Sequence, residues 1–330
     1  MQGIWLNDKQ VIGLRDFYYL FVIGLVFIMG LVSSARLKER VAHAIAFIAF
    51  WLSRTKRKRI VANLSLAFEG QIKKQQLRIL AFGALQGVWE EMLSWLPPDA
   101  KRSGADQVRL HGLEHLRAAL QKNHGVILWE SNGFGIRILA KKALRANGFS
   151  LYQVHGTDNL GGFLTDDSAA TWVRSNWVKQ FFEQCEMRFV CDIINLPRSG
   201  SLVAARRVKD ILEQNRIVCV SGDGNMGHKL MPFDFLRQKA FFATGMVSLA
   251  RFSGATILPV FCLREKNREP HLFIESPIPV KADGDRETGF RKSLSGYVSL
   301  LESYVRKHPE QYRNWHLLGL QPFERQALNG

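Results

Sequence analysis

The sequence contains few cysteines and no pattern that would hold a structural metal. Only four occur, Cys185, Cys191, Cys219 and Cys262, and none forms a C-x-x-C pair or a zinc-type spacing. Cys219 and Cys262 lie inside apolar runs, where a free cysteine behaves as a small hydrophobic residue. We therefore expect a reduced, cytosol-facing domain without disulfides or a metal site.

Acidic residues are also scarce relative to basic ones, with 29 Asp and Glu against 45 Lys and Arg and a formal net charge of +16. Such an excess favours an anionic partner: nucleic acid, an anionic membrane surface, or a phosphorylated or CoA-like substrate. No helix-turn-helix, RNP-like motif or arginine-rich arm is present, so we expect no nucleic-acid partner. The 330 residues suffice for one large domain, or one domain with a helical attachment.

Residues 17–34, FYYLFVIGLVFIMGLVSS, are uncharged and mostly large and apolar. As a helix this segment would span about 27 Å, just enough for the hydrocarbon core of a bilayer. Basic residues are more numerous after it than before it, which places the rest of the chain on the cytoplasmic side. We predict a membrane anchor, with a cleaved signal peptide or a buried core helix as alternatives.

The following segment, 41–59, reads VAHAIAFIAFWLSRTKRKR and joins a short apolar stretch to a basic cluster. This composition is typical of a helix lying in the headgroup region, and the alternative is a core helix with a solvated basic end. We accordingly divide the chain into a membrane anchor with an interfacial helix, residues 1–72, and a second domain, residues 73–330.

From residue 75 onward, predicted strands alternate with helices of about 10 to 20 residues. This order predicts an α/β fold, with a mainly parallel sheet covered on both faces by helices. The predicted strands are 125–130, 149–154, 187–193, 216–224, 255–263 and 270–278, and the predicted helices include one of about 20 residues that ends at Cys185 and another over 239–254. Ligands of such sheets bind beyond the carboxyl ends of the strands, where Glu130, His155 and Asp223 are expected.

Four segments in this order carry a resemblance to a known family. They are KRIVANLSLAF (58–68), HGLEHLRAALQKNHGVILW (111–129), the long stretch from VSGDGNMG to ILPVF (220–261), and HPEQYRNW (308–315). Together they resemble the lysophospholipid acyltransferase superfamily, in its branch of lipid A late acyltransferases (lauroyl/myristoyl transferases). The resemblance implies a glycerolipid acyltransferase-like fold at the bacterial inner membrane, single-pass or monotopic. It also implies transfer of an acyl chain from acyl-ACP or acyl-CoA to a lipid acceptor, with no cofactor besides the donor.

The chain departs from this family at its catalytic motif, H-x4-[DE]. In the family the histidine deprotonates the acceptor hydroxyl and the carboxylate orients the imidazole. The matching positions here hold Asn132 and Arg137, and none of the nine histidines is followed by Asp or Glu five residues later.

Glu130 is the first candidate for a replacement base. Strand periodicity places it on one face with Val126 and Leu128, at the end of VILWE. A carboxylate needs burial to raise its pKa before it serves as a base near neutrality. The alternatives are that Arg137 holds Glu130 ionised and inert, or that Glu130 caps the following turn. Backbone amides of the turn at 131–135 are expected to hold the oxyanion.

The remaining candidates lie along the same predicted edge. Asp223, in SGDGNMG, matches a family aspartate and belongs either to the substrate site or to a plain turn. His155 is a second candidate base, although a histidine in a loop is usually solvated. The predicted substrate-binding residues are Ser131, Asn132, Arg137, Arg174, Arg198, Arg207 and Lys229, with Arg206 beside them. Cations there suit ACP, CoA or lipid phosphates, although single surface cations are more often merely solvated.

Two functions therefore remain open at the level of sequence. One is a membrane-anchored acyltransferase on the cytoplasmic face with an altered dyad. The other is a non-catalytic relative that binds a lipid or an acyl carrier, or serves as a subunit of a membrane assembly.

Overall fold

The computed structural model describes residues 4–6, 10–12, 20, 24, 28, 35–94, 108–135, 137–156, 179–196, 201–223, 229–265, 268–280 and 286–319. Two short strands, β1 (Ile4–Leu6) and β2 (Gln10–Ile12), pair antiparallel. Three helices follow: α1 (Ala35–Leu52), α2 (Arg54–Ala67) and α3 (Lys74–Ser94).

The predicted anchor at 17–34 lies outside the described residues, except for positions 20, 24 and 28. Of the helices that are described, none is both long enough and apolar enough to cross a bilayer. The anchor therefore stays a prediction.

Seven strands form one sheet in the order β3-β11-β10-β4-β7-β5-β6. All neighbouring pairs are parallel except β10 and β11, which are antiparallel. The predicted mainly parallel α/β sheet is thus confirmed. Its strands are β3 (Arg109–His111), β4 (Val126–Glu130), β5 (Leu151–Gly156), β6 (Asp192–Leu196), β7 (Ile217–Ser221), β10 (Thr256–Arg264) and β11 (Pro270–Ile274).

Helices cover both faces of this sheet. They are α4 (Leu113–Leu120), α5 (Arg137–Ala146), α6 (Lys179–Met187), α7 (Leu202–Glu213), α8 (Gly245–Ser253) and α9 (Arg286–Lys307), and a 3-10 helix (Arg313–Leu317) closes the described chain. Because side chains alternate along β4, Val126 and Leu128 join one apolar core while Ile127 and Trp129 join the other. The first core includes side chains of α4 and α5, and the second includes those of α2, α7, α8 and α9.

The segment predicted as one interfacial helix is divided at Ser53 into α1 and α2. Helix α2 contributes Ile60 and Leu64, both fully buried, to the larger core. Its Asn63 Nδ2 donates hydrogen bonds to the carbonyl oxygens of Trp315, at 2.7 Å, and Leu318, at 3.3 Å. Helix α2 therefore packs with the α/β domain, although it precedes the predicted boundary at residue 72.

The helix predicted over 239–254 is wrong in its first part. Residues Gln238–Ala243 form strand β9, which pairs antiparallel with β8 (Leu230–Phe235). The two-residue turn between them has positive φ at Leu236, 51°, and at Arg237, 64°, as type I′ hairpin turns require. The buried side chains lie on one face of each strand, with Met231 and Phe235 on β8 and Ala240 and Phe242 on β9, and this strand packing outweighs the helical propensity of the segment.

The strand predicted over 187–193 begins later, at Asp192. Helix α6 runs on to Met187, and its last turn is closed by the amides of Phe189 and Val190, which donate to the carbonyl oxygen of Glu186 at 2.8 and 3.2 Å. Most of the 20-residue helix predicted to end at Cys185 lies outside the described residues.

Candidate active site

Three polar residues lie side by side on neighbouring strands at the carboxyl edge of the sheet: Glu130, Ser221 and His155. Glu130 is paired in register with Ser221 of β7, and Gln153 of β5 is paired with Cys219. Continuing that register brings His155 opposite Ser221. Because neighbouring strands lie about 4.8 Å apart, the Cα atoms of Glu130 and His155 are separated by roughly 10 Å. Both side chains point to the face that α5 covers.

His155 does not lie in a solvated loop, as a histidine after the predicted strand was expected to. Strand β5 extends to Gly156, and His155 pairs with Asn195 of β6. The imidazole is buried, with only 8% of the residue exposed.

A buried chain of charges of alternating sign connects this edge to the closing segment of the protein. Its members, in order of contact, are Arg313, Glu91, Arg137, Glu130, Lys141, Glu186 and, at the end, His155. All seven side chains are buried. Buried charges are tolerated only when other interactions replace the lost hydration, and the alternation places an opposite charge beside each member.

The first half of the chain joins three elements. Arg313 Nη1, from the 3-10 helix, lies 3.1 Å from Glu91 Oε2 on α3. Glu91 Oε1 lies 3.4 Å from Nε of Arg137, the first residue of α5.

The second half surrounds Glu130 and ends on the histidine. Glu130 Oε2 lies 4.0 Å from Arg137 Nη1 and 3.5 Å from Lys141 Nζ. Lys141 Nζ donates to Glu186 Oε1 at 2.6 Å, and Glu186 Oε2 lies 2.8 Å from His155 Nε2.

Electrostatics keep the Lys141–Glu186 pair ionised. Burial alone raises the pKa of Glu186, but Lys141, His155 and Arg137 outweigh burial and hold that pKa well below its usual range. Burial likewise lowers the pKa of Lys141, and the carboxylates of Glu130 and Glu186 reverse this effect and raise it. The carboxylate beside His155 is therefore negatively charged.

Glu130 is enclosed by cations. Its carboxylate contacts Arg137 and Lys141, and only 7% of its side chain is exposed. Of the roles that the sequence left open for Glu130, these contacts favour the structural one, in which cations hold the carboxylate in place.

The two positions that the sequence resemblance assigns to the family motif are in contact. Arg137 Nη1 donates to Asn132 Oδ1 at 3.2 Å. An amide and a guanidinium cannot take a proton from a hydroxyl near neutrality. Asn132 and Arg137 are therefore joined by a hydrogen bond, but neither can act as a general base.

Asp223 binds the turn that follows β4. Its Oδ1 accepts from the backbone N–H of Asn132 at 2.5 Å, and its Oδ2 accepts from the N–H of Gly133 at 2.8 Å and from Ser131 Oγ at 2.6 Å. The prediction that the turn's amides hold the oxyanion is therefore wrong for Asn132 and Gly133, because a carboxylate already occupies both donors. Ser131 is buried in the same contact.

The predicted cations do not form one cluster in the described structure. Arg174 and Arg198 lie outside the described residues. Arg207 is exposed on α7 and paired with Asp192 of β6, and Arg206 and Lys229 are also exposed.

Sequence reasoning missed Glu91, Lys141, Glu186 and Arg313. For Lys141 a signal was available, since it falls one turn after Arg137 and one turn before Leu144, on the apolar side of α5. A lysine on such a face needs a buried carboxylate partner, but the sequence does not say which one.

Comparison with known proteins gives a match to a family model. Residues 174–318 match the model of a family described as bacterial lipid A biosynthesis acyltransferase. The matched segment is less than half of the chain and begins after Asn132, Arg137 and His155. No curated protein matches the sequence. The match supports the resemblance to lipid A acyltransferases and, with it, an acyltransferase activity.

Proposed function

We propose that the protein is an acyltransferase that moves a fatty acyl chain from acyl-ACP or acyl-CoA to a hydroxyl or amine of a lipid or lipid-linked acceptor. The family match over residues 174–318 supports the reaction class. The pairing of His155 with Glu186 at the carboxyl edge of the sheet is the observation that carries the mechanism.

His155 has the geometry of a general base held by a carboxylate. With the hydrogen on Nε2, which lies 2.8 Å from Glu186 Oε2, the imidazole has its lone pair on Nδ1. Within the described residues, Nδ1 has no partner of its own. In this proposal β5 supplies the base, His155, and α6 supplies the orienting carboxylate, Glu186. In the family a single H-x4-[DE] segment supplies both groups.

His155 can both take and return the one proton that moves during acyl transfer. Nδ1 of His155 takes the proton of the acceptor as its oxygen or nitrogen attacks the thioester carbonyl carbon. The tetrahedral intermediate then collapses, the carbon–sulfur bond breaks, and the imidazolium returns the proton to the departing thiolate of ACP or CoA. Because Lys141 keeps Glu186 ionised, the carboxylate stabilises the imidazolium while it exists.

The experiment is acyl transfer by the detergent-purified protein, with radiolabelled acyl-ACP and acyl-CoA offered together with a membrane-lipid extract. We expect His155→Gln to lower the rate by about 10²- to 10⁴-fold, the usual contribution of a general base. The matched control is His308→Gln, because His308 is equally buried, at 8% exposed, and lies outside the charge chain. If the folded His155→Gln variant turns over at the wild-type rate and the folded Glu130→Gln variant does not, the general base is Glu130 and not His155.

A second function, binding without catalysis, is favoured by one observation. The positions predicted to hold the family dyad carry Asn132 and Arg137, which are in contact, and the adjacent amides are occupied by Asp223. In this case no donor gives a product in the same assay, while acyl chains still bind in a 1:1 ratio.

The proposal also places the protein at the cytoplasmic surface of a membrane, on the evidence of α1. This helix packs along α3 with the small residues Ala42 and Ala46 buried. Four of its large apolar residues face outward, with exposed fractions between 53% and 79%: Phe47, Ile48, Trp51 and Leu52. A helix in water buries its large apolar side chains. The basic run RTKRKR follows at once, at 54–59, and this combination suits an anionic lipid surface.

A further inference from the structure

We infer that the side-chain amide of Asn132 donates the hydrogen bond that stabilises the oxyanion during acyl transfer. This inference rests on the proposed function and assigns a catalytic role to the position where the family has its histidine.

Three of the four polar groups of Asn132 are already bound. Its backbone N–H donates to Asp223 Oδ1 at 2.5 Å, and its carbonyl oxygen accepts from Arg313 Nε at 2.5 Å. Its side-chain Oδ1 accepts from Arg137 Nη1 at 3.2 Å.

The fourth group, Nδ2, has no partner in the part of the chain that the structure describes. Its direction is fixed, because a guanidinium is only a donor and the atom facing Arg137 must be the oxygen. The NH₂ group therefore points away from α5. Asn132 is half-buried, whereas Ser131 and Gly133 beside it are buried. One oriented amide donor is thus presented at the edge where the sheet binds its ligand.

The groups that hold Asn132 are themselves rigid. Arg137 and Arg313 are buried and are joined through the two oxygens of Glu91, at 3.4 and 3.1 Å. The backbone N–H of Arg313 also donates to the carbonyl oxygen of Gly133 at 2.8 Å. A donor fixed in this way needs no reorganisation when charge develops on the substrate, which is the property that makes oxyanion donors effective.

The side-chain amide of Asn132 also stands in for the backbone amides that Asp223 occupies. Since Asp223 takes the amides of Asn132 and Gly133, these two groups cannot serve the oxyanion, whereas Nδ2 of Asn132 is a donor at the same turn. Asn132 lies two residues beyond Glu130, and the Cα atom of His155 lies roughly 10 Å from that of Glu130. In this arrangement the thioester carbonyl lies between the side chains of Asn132 and His155. Its oxygen accepts a hydrogen bond from Asn132 Nδ2, and the attacking hydroxyl donates to His155 Nδ1.

The test uses two variants with the acyl-transfer assay. Asn132→Asp keeps the shape and the acceptor for Arg137 but loses the donor, and Asn132→Ala loses the donor without adding charge. We expect kcat to fall by about 10²- to 10³-fold in both, the usual loss for one oxyanion donor, with the KM for the acyl donor rising no more than several-fold. The matched control is Asn147→Asp, at an exposed asparagine near the end of α5, which should keep wild-type kcat.

A second readout does not depend on turnover. Binding of lauroyl-ACP and lauroyl-CoA is compared with binding of their dodecyl thioethers, which lack the carbonyl oxygen. Wild type should bind the thioesters several-fold more tightly, and Asn132→Ala should bind both kinds of probe equally.

The outcomes separate the inference from the proposed function. If wild type turns over and both Asn132 variants keep its kcat, the role of Asn132 is overturned and the proposed function stands. Equal binding of thioester and thioether by wild type also overturns it, even if no product forms. Failure of wild type to bind or turn over any probe overturns the proposed function together with the inference.

Discussion

Gly133 lies in the turn that carries Asn132, and a side chain there would collide with the closing segment. A Cβ atom on Gly133 would lie 1.8 Å from Cε2 of Tyr312. The Tyr312 ring is buried and packs against Phe134, with ring centroids 5.6 Å apart, so it has little freedom to move.

We therefore expect Gly133→Ala to lower the free energy of unfolding by at least about 1–3 kcal/mol, the usual cost of overpacking. Denaturant titration measures this quantity. Gly296→Ala on α9 is the control, because nothing lies within 4 Å of a Cβ at that position. Removing a helix-interior glycine there should instead stabilise by about 0.5–1 kcal/mol. Equal effects of the two substitutions would show that Tyr312 yields to the added methyl group.

At the scale of elements, the buried chain of charges fastens α3, α5, α6 and the closing 3-10 helix to the strand ends. Lys141 is its central cation, because it contacts both Glu130 and Glu186. Removing Lys141 alone leaves two buried carboxylates short of a partner. Removing Lys141 together with Glu186 leaves Arg313, Glu91, Arg137 and Glu130, which are balanced in charge.

A double-mutant cycle tests this arrangement. We expect Lys141→Met to destabilise the protein by about 3–5 kcal/mol, as breaking a buried ion pair does. The double variant with Glu186→Leu should lose much less than the sum of the two single changes, since contacting residues are not additive. The exposed pair Lys209 and Glu213 of α7 serves as control, and its cycle should give a coupling of about 0.5 kcal/mol or less. Additive effects at Lys141 and Glu186 would mean that the two charges are independently solvated.

At the scale of the whole molecule, the proposed membrane contact through the outer face of α1 can be tested with spin labels. A spin label at Phe47→Cys or Leu52→Cys, with the exposed Cys191 replaced by Ser, reports the surroundings of that face. In vesicles containing phosphatidylglycerol, both labels should become more accessible to oxygen and less accessible to a water-soluble nickel chelate, because the apolar face enters the lipid. The control label at Glu213→Cys should stay accessible to the chelate. A label at residue 52 that behaves like the label at residue 213 would contradict membrane contact through α1.

Sequence and structure agree best where local periodicity decides the outcome. The strand ending at Glu130 and the strand from Ile217 to Ser221 are both specified by runs of apolar residues with turn residues at their ends. The error at 239–254 arose where alanine and phenylalanine suit both a helix and a strand. There the pairing of β8 with β9 decided for the strand.

The sequence by itself determined that Glu130, His155 and Asp223 meet at one edge of a parallel sheet, because strand ends of such a sheet share an edge. It also showed that none of the nine histidines is followed by Asp or Glu five residues later. Only the tertiary structure decided the partners: Glu186 for His155, Asp223 for the turn amides, and Glu91 joined to Arg313 across 222 residues of chain. Spacing along a chain fixes which face of an element a side chain occupies. Packing of the elements fixes which opposite charge that face will meet.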